Sequence, residues 1–217
     1  MPGSRKARTA AFPVRRPLYY YVTDRRQLRP QDFRARIRRL IRWGIDFVQI
    51  REKDLADRDL FLLARDVVAL ARSTGCRVLV NGRADVALAA GAHGVHLPSS
   101  GLRANDVRHW LPDGFLVGVS VHSEREAMRA WASGADYVLV GPIFATPSKA
   151  NQGPPLGLAG FREICCAISL PTLGLGGISA GTVKAVLDAG AAGVAAIRLF
   201  QEACAIDFKR KRKFRSP

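Results

Sequence analysis

The sequence predicts an α/β protein, a single-domain (β/α)8 barrel of the TIM type, and three observations predict it. Short β-branched or aromatic runs alternate with longer segments of helical period. Eight such runs follow one another without a long interruption, and glycine recurs where a helical segment leads into the next run. A chain of 217 residues can bury one core and lies near the lower end for a complete barrel, for which roughly 250 residues is usual.

The predicted strands cover residues 18–22, 46–50, 77–81, 94–97, 116–119, 137–140, 172–175 and 193–197. Helix-length segments between them cover 31–43, 57–73, 84–90, 104–111, 124–132, 158–168 and 180–189. Strands joined by crossover helices run parallel, and eight in succession favour a closed barrel over an open sheet. In Gly91-Ala92-His93-Gly94, Gly134-Ala135-Asp136 and Gly190-Ala191-Ala192-Gly193 the first glycine follows a helical segment. There a left-handed residue ends the helix and turns the chain into the next strand.

The net charge of +16 is concentrated at the ends. Residues 1–17 hold five basic side chains and no acid, and residues 208–217 hold six and no acid. The intervening 190 residues carry 23 basic and 18 acidic groups, a mild excess that suits anionic metabolites. The expected organisation is a basic, flexible arm over 1–17, the barrel over 18–207 and a basic, disordered tail over 208–217. The run from Lys209 to Lys213 reads first as a solvated tail, with weak contact to nucleic acid or an acidic surface as its functional alternative.

Cys76, Cys165, Cys166 and Cys204 form no C-x-x-C pair, and no histidine completes a zinc site, so no metal residues are assigned. No apolar stretch reaches the roughly 18 residues of a membrane span, and the basic N-terminus lacks the apolar run of a secretory signal. A reduced, cytoplasmic enzyme is the expectation, with a homo-oligomer left open.

Chemistry in such a barrel sits at the C-terminal strand ends. The second strand runs into Gln49-Ile50-Arg51-Glu52-Lys53, whose alternate members Gln49, Arg51 and Lys53 share one side while the chain stays extended. An amide, a guanidinium and an ammonium aimed into the mouth suit a phosphate or diphosphate. Asn81 ends the third strand, Ser120 and His122 follow the fifth, and Thr146, Ser148 and Lys149 follow the sixth. His122 falls just beyond a strand, where a group titrating near neutrality can exchange protons. His96, inside the fourth strand, reads instead as a packed, hydrogen-bonded core group. Gly176 and Gly177 after the seventh strand, with Ile197 and Arg198 after the eighth, occupy the usual phosphate-binding loops of the fold.

These residues resemble the family of thiamine-phosphate synthase and its relative thiazole tautomerase. The resemblance runs from Tyr20-Tyr21-Val22-Thr23-Asp24 to Ile197-Arg198. Its most specific stretches are Val48-Gln49-Ile50-Arg51-Glu52-Lys53, Gly94-Val95-His96-Leu97, Gly118-Val119-Ser120-Val121-His122, residues 141–149 and Leu175-Gly176-Gly177-Ile178. It implies a synthase that ionises a hydroxymethylpyrimidine diphosphate and captures the carbocation with the nitrogen of a thiazole phosphate. Gln49, Arg51, Lys53, Asn81 and Lys149 match positions holding the pyrimidine diphosphate, and Thr146, Ser148, Gly177, Ile197 and Arg198 match the thiazole phosphate side. Arg51, Lys149 and His122 are the expected catalytic residues, and small phosphorylated substrates the expected partners.

The family's synthases usually place one aspartate directly after the asparagine of the third strand and another shortly after the fourth, both serving Mg²⁺. Here Gly82 takes the first position, and Leu97-Pro98-Ser99-Ser100-Gly101 spans the second, with Gly101 in the acid's place. Mg²⁺ binding would then rest on substrate and water, or on Asp85 after loop rearrangement. Arg198 stands where the family often has serine. Tautomerase, which needs no metal and assigns acid–base work to His122, is the alternative activity. A third reading is a catalytically silent barrel that binds thiazole or thiamine phosphate as a regulator.

Overall fold

Side chains alternate across a β-strand, so closing a sheet into a barrel divides each strand into an inward and an outward set. The computed structural model describes residues 17–146 and 153–202. Within them eight parallel strands pair in chain order, and the last closes on the first. The strands are β1 (Leu18–Val22), β2 (Phe47–Ile50), β3 (Arg77–Asn81), β4 (Gly94–Leu97), β5 (Leu116–Val121), β6 (Tyr137–Val140), β7 (Thr172–Leu175) and β8 (Gly193–Ala196). The helices are α1 (Pro30–Trp43), α2 (Asp57–Ala71), α3 (Ala84–Ala89), α4 (Ala104–Arg108), α5 (Glu124–Ala132), α6 (Gly157–Ala167), α7 (Val183–Asp188) and α8 (Arg198–Glu202). A single 3-10 turn, Arg25–Gln27, follows β1. The predicted basic arm and tail, and the residues Ser148 and Lys149, lie outside the described residues, apart from Pro17 at the inner end of the arm.

Two apolar clusters follow from the alternation. Leu18, Tyr20, Phe47, Leu79, Leu116, Tyr137, Leu139 and Leu173 fill the barrel. Outward residues such as Tyr19, Tyr21, Val48, Val78, Val117 and Val138 pack beneath the helices. The helices supply matching stripes: in α1, Phe33, Ile37, Leu40 and Ile41 are buried at spacings of three and four. Pro30 starts that helix, where no N–H partner is needed, and Gly44 ends it with φ 83°.

The recurring glycine pattern has a second role at the N-terminal end of the barrel. Gly91, Gly134 and Gly190 have φ of 68°, 86° and 102°, as helix-ending residues require. Two places after Gly44, Gly91 and Gly134 a side chain turns onto the second N–H of a neighbouring strand, whereas two places after Gly190 stands Ala192, which has no side-chain acceptor. Asp136 accepts from Val117 N at 2.7 Å, His93 Nδ1 from Val78 N at 3.0 Å, and Asp46 from Tyr19 N at 2.7 Å. Backbone donors that would otherwise be orphaned at the barrel's lower rim are satisfied there.

Several boundaries differ from the sequence expectation. Strand β5 continues to Val121 because Ser120 and Val121 pair with Leu139 and Val140 of β6, so Ser120 lies within the strand. Helix α7 begins at Val183, since the preceding residues form a turn in which Ser179 N donates to Thr182 Oγ1 at 2.9 Å. Helix α4 stops at Arg108, whose guanidinium reaches the Phe115 carbonyl at 2.7 Å and Asp136 at 2.6 Å.

Inside the barrel the Tyr137 ring occupies space that exists because residue 118 is glycine. A Cβ at Gly118 would sit 2.0 Å from Tyr137 Cζ. Gly118→Ala is therefore expected to lower stability by about 1–3 kcal/mol through overpacking, read as a lower urea midpoint with an unchanged denaturant slope. An unshifted midpoint would show that the ring has room to move aside.

Candidate active site

The C-terminal strand ends open into a cavity of about 1320 Å³. Gln49, Arg51, Lys53, Asn81, Ser120, His122, Thr146, Gly176, Gly177, Ile197 and Arg198 all line it, although they come from six different strand ends. Asp24, His96, Pro98, Ser99, Ser100 and Glu202 join them, and these the sequence reading had not assigned to binding.

Alternation carries Gln49, Arg51 and Lys53 inward and turns Glu52 the other way. Glu52 is buried at 5 % exposure and fully engaged. It accepts from Thr23 Oγ1 at 2.6 Å, from Arg25 N at 3.1 Å and from Arg25 Nη1 at 3.2 Å. Thr23 Oγ1 in turn accepts from Arg51 N at 3.0 Å. A buried carboxylate persists only when paired and hydrogen-bonded, so this clamp ties the loop after β1 to the end of β2 and aims the two cations between which Glu52 lies. Deeper on the same wall, Gln49 Nε2 donates to Asn81 Oδ1 at 2.9 Å. Gln49 Oε1 is buried with no partner among the described residues, an acceptor facing a space that a ligand donor would fill.

Two histidines differ in environment. His96 is 1 % exposed, with Nε2 2.8 Å from Ser120 Oγ and Nδ1 3.2 Å from Tyr137 Oη. Burial, then the charge of Arg51, pushes its pKa down to about 3, so the ring is neutral. It is packed and hydrogen-bonded, as the sequence suggested, yet it also supports a hydroxyl on the cavity wall. Only the register that sets β4 beside β5 brings these two residues together. His122 is half-buried, and its Nδ1 forms a short bond to the Gly141 carbonyl. A carbonyl only accepts, so Nδ1 donates there, and Nε2 has no partner among the described residues. Its backbone N–H donates to Glu126 at 2.7 Å, which holds the loop at the start of α5.

The wall at the ends of β7 and β8 is built largely from backbone. Gly176 and Gly177 have φ of 95° and 66°, and a Cβ on either would lie 2.6 Å from Pro142 Cα or Phe144 Cβ. Their smallness lets the loop after β6 dock on β7, where Ile143 N and Phe144 N donate to the carbonyls of Leu175 and Gly176 at 3.0 and 3.1 Å. That docking sets Thr146 at the cavity edge. The N–H groups of Gly177, Ile178, Ile197 and Arg198 have no acceptor among the described residues. Backbone N–H groups without acceptors beside an arginine have the chemistry that suits an anion.

This cavity does not offer Mg²⁺ a pair of unengaged carboxylates among the described residues. Among the described residues its lining carboxylates are Asp24 and Glu202, and Asp24 is occupied by Gln27 Nε2 at 2.6 Å and Arg26 N at 3.2 Å. Asp85 lies outside the lining, paired with Arg83 at 2.6 Å, which lowers its pKa. Gly82, with φ 73°, and the turn closed by Gly101 N on Pro98 O at 2.9 Å occupy the two positions where the resemblance implies metal-binding aspartates. No three His, Cys, Asp or Glu side chains gather as a metal site among the described residues.

A family model described as thiamine monophosphate synthase matches residues 19–200. The thiamine-phosphate synthase of Methanoculleus marisnigri is 45 % identical over 178 residues, covering 82 % of this chain and 84 % of the relative. That of Roseiflexus castenholzii is 40 % identical over 186 residues, covering 86 % and 82 %. The solved thiamine phosphate pyrophosphorylase from Pyrococcus furiosus superposes with a TM-score of 0.80 at 26 % identity, over 92 % of this chain and 97 % of that one.

The depressed pKa of His96 makes stability depend on pH. The unfolded chain takes up a proton near pH 6.5, whereas the folded chain refuses it until about pH 3. The contribution is therefore complete above pH 6.5 and is lost as pH falls toward 3. Between pH 7 and 5.5 the native protein should lose about 1 kcal/mol more than a His96→Gln variant, measured by urea unfolding. Parallel losses in the two proteins would show that His96 titrates normally.

Proposed function

The chain belongs to the thiamine monophosphate synthase family, and from that membership we propose that it joins hydroxymethylpyrimidine diphosphate to thiazole phosphate, giving thiamine phosphate and diphosphate. One observation carries the reading: a single cavity is lined both by side-chain cations and by backbone N–H groups without acceptors among the described residues, two groups that each suit an anion. Arg51 and Lys53 at the end of β2 share the cavity with the N–H groups of Gly177, Ile178, Ile197 and Arg198 beyond β7 and β8. A transferase with two phosphorylated substrates uses both, whereas an isomerase acting on one phosphate uses one.

In this reading Gln49 and Asn81 seat the pyrimidine, with Gln49 Oε1 accepting from a ring substituent. Arg51 and Lys53 neutralise the charge that grows on the diphosphate as its C–O bond breaks, and Lys149 joins them by its place in the sequence. Charge stabilisation at the leaving group is the main demand of such an ionisation. The N–H groups of β7 and β8, with Thr146 and Ser148, hold the thiazole phosphate so that its ring nitrogen faces the carbon being released. Without a carboxylate pair, the burden of neutralising diphosphate falls on side-chain cations. Any divalent ion would enter on the substrate. The enzyme's partners are small phosphorylated metabolites, and the thiols of Cys76 and Cys166, which form no disulfide among the described residues, fit the reduced cytoplasm in which we place it.

His122 supports the tautomerase alternative, since its unpartnered Nε2 suits proton abstraction from a carboxythiazole phosphate. The two activities separate by mutation. Thiamine phosphate formation is expected from the purified chain, falling about 100-fold or more in Arg51→Ala and less than about tenfold in His122→Ala, followed by chromatography with and without Mg²⁺. Collapse in His122→Ala with Arg51→Ala spared, together with turnover of carboxythiazole phosphate, would establish the tautomerase. Binding without turnover of either substrate set would establish a silent regulator.

A further inference from the structure

Positive charge on the barrel body is confined to one segment. Residues 25–43 hold eight arginines and one acid, whereas the rest of 18–207 holds fifteen basic and seventeen acidic side chains. The contrast is sharpest among the helices. Each of α2 to α8 carries at least as many acidic as basic residues, and α7 pairs its own, Lys184 with Asp188 at 2.6 Å. Helix α1 sets Arg34, Arg36, Arg38, Arg39 and Arg42 against Asp32 alone.

The arginines divide by partnership. Arg25 pairs with Glu52 and Asp54, Arg26 with Asp54, Arg29 with Asp32 and Arg34 with Asp66. Arg38, Arg39 and Arg42 are exposed and pair with no carboxylate among the described residues. They stand on the side of α1 opposite its buried stripe of Phe33, Ile37, Leu40 and Ile41. The Arg39 guanidinium carbon lies 5.9 Å from the centroid of the Trp43 ring, a stacking that steadies the group and uses none of its donors. Like charges one turn apart weaken a helix, and the crowding reaches Arg36, whose pKa is lowered by burial and then by the charge of Arg39. The helix C-terminus favours a cation in the last turn, at Arg42, and gives Arg38 and Arg39 no such compensation.

Both ends of the chain bring more charge of this sign to the same helix. Asp46, four residues past Arg42, accepts from Tyr19 N at 2.7 Å, so α1 ends where the chain enters β1 behind the five basic side chains of residues 1–17. Gln201 Nε2 donates to the Asp24 carbonyl at 2.8 Å, so the chain leaves α8 beside the segment leading into α1, ahead of the six basic side chains of 208–217. Three unpaired cations within about one turn, flanked by two basic segments, exceed the charge of a small anion. They match a duplex, which carries one phosphate charge per roughly 1.7 Å of its axis. Other anionic partners ask for groups that this face lacks. The exposed large apolar side chains among the described residues, Leu88, Leu102, Trp110 and Met128, lie in or beside α3, α4 and α5. The outer face of α1 therefore offers nothing to insert into a lipid surface and no open aromatic on which an unpaired base can stack.

We propose that Arg38, Arg39 and Arg42 on the outer face of α1 form a docking surface for double-stranded DNA, held through its phosphates without sequence preference. Arginine meets phosphate with paired N–H donors. Helix α1 runs from the C-terminal strand ends down to the lower rim, so the surface lies away from the cavity mouth and is independent of the reaction proposed for it.

Fluorescence anisotropy of a labelled DNA duplex measures binding by the full chain between about 50 and 200 mM salt. The triple variant Arg38→Gln, Arg39→Gln, Arg42→Gln should bind about tenfold or more weakly at the lower salt, and its slope of log affinity against log salt should be shallower by about 2 to 3. A second triple variant, Arg125→Gln, Arg129→Gln, Arg162→Gln, removes the same charge from exposed positions of α5 and α6 and should cost less than about threefold. A duplex of unrelated sequence should bind as well as the first. Absence of binding by the native chain at the lower salt overturns the proposal. So does an equal loss in the two triple variants, which would assign binding to net charge. Undiminished binding by the α1 variant with loss on deletion of 208–217 overturns it too, by assigning the contact to the tail. Tighter binding to single-stranded RNA, or to vesicles of phosphatidylcholine and phosphatidylserine, than to the duplex would replace DNA with a different partner and sink the inference.

Discussion

Closure of eight strands with strict side-chain alternation is the constraint on which the molecule depends. Once β8 pairs with β1, inward positions can be filled only by what the other strands leave room for. Tyr20, Phe47 and Tyr137 fill the middle of the barrel, and Gly118 makes the space for Tyr137. The next inward positions toward the C-terminal end are Gln49, Asn81, His96 and Ser120, which form a polar floor on an aromatic plug. One step further come Arg51, Lys53 and His122. Apolar filling, polar floor and charged mouth are successive turns of the same period-two rule.

The two walls of the cavity show different ways of meeting an anion. On the β2 side the positive charge is carried by side chains, and it is aimed by an acid that faces away. Glu52 sits between Arg51 and Lys53 in sequence, yet its carboxylate is spent on Thr23 and Arg25. Were it turned inward, it would cancel much of the charge that the wall presents. On the β7–β8 side the donors are backbone N–H groups, made accessible where glycine allows both a left-handed turn and a close approach to the loop after β6. The carboxylates that would recruit a metal between the walls are replaced by a glycine and a serine-containing turn. Among the described residues the cavity therefore gathers positive charge and no cluster of metal-ligating side chains.

Much of the fold was legible because its signals are local. Strand runs, glycines ending helices and the apolar stripe of α1 each follow from a few neighbouring residues. The bounds that shifted did so for reasons of partnership. β5 runs on to Val121 because β6 is there to pair with it, and α7 starts late because Ser179 and Thr182 close a turn of their own. In the site, Gln49, Arg51 and Lys53 could be placed on one wall from alternation alone. His96 could not be given its partners, since Ser120 lies 24 residues away and Tyr137 lies 41 away. The protective role of Glu52 was hidden as well, because its partners belong to the loop after β1.

The sequence by itself determined the barrel, the order of its strands, the inward set at each strand end and the family, since periodicity and motif spacing are written along one chain. The tertiary structure alone decided which residues touch: the Gln49–Asn81 pair, the Glu52 clamp, the run from Tyr20 to Ser120 and the strand ends that share one cavity. These contacts depend on strand register and on the space left by glycines on neighbouring strands. Register is a property of pairs of strands, and no single stretch of residues contains it.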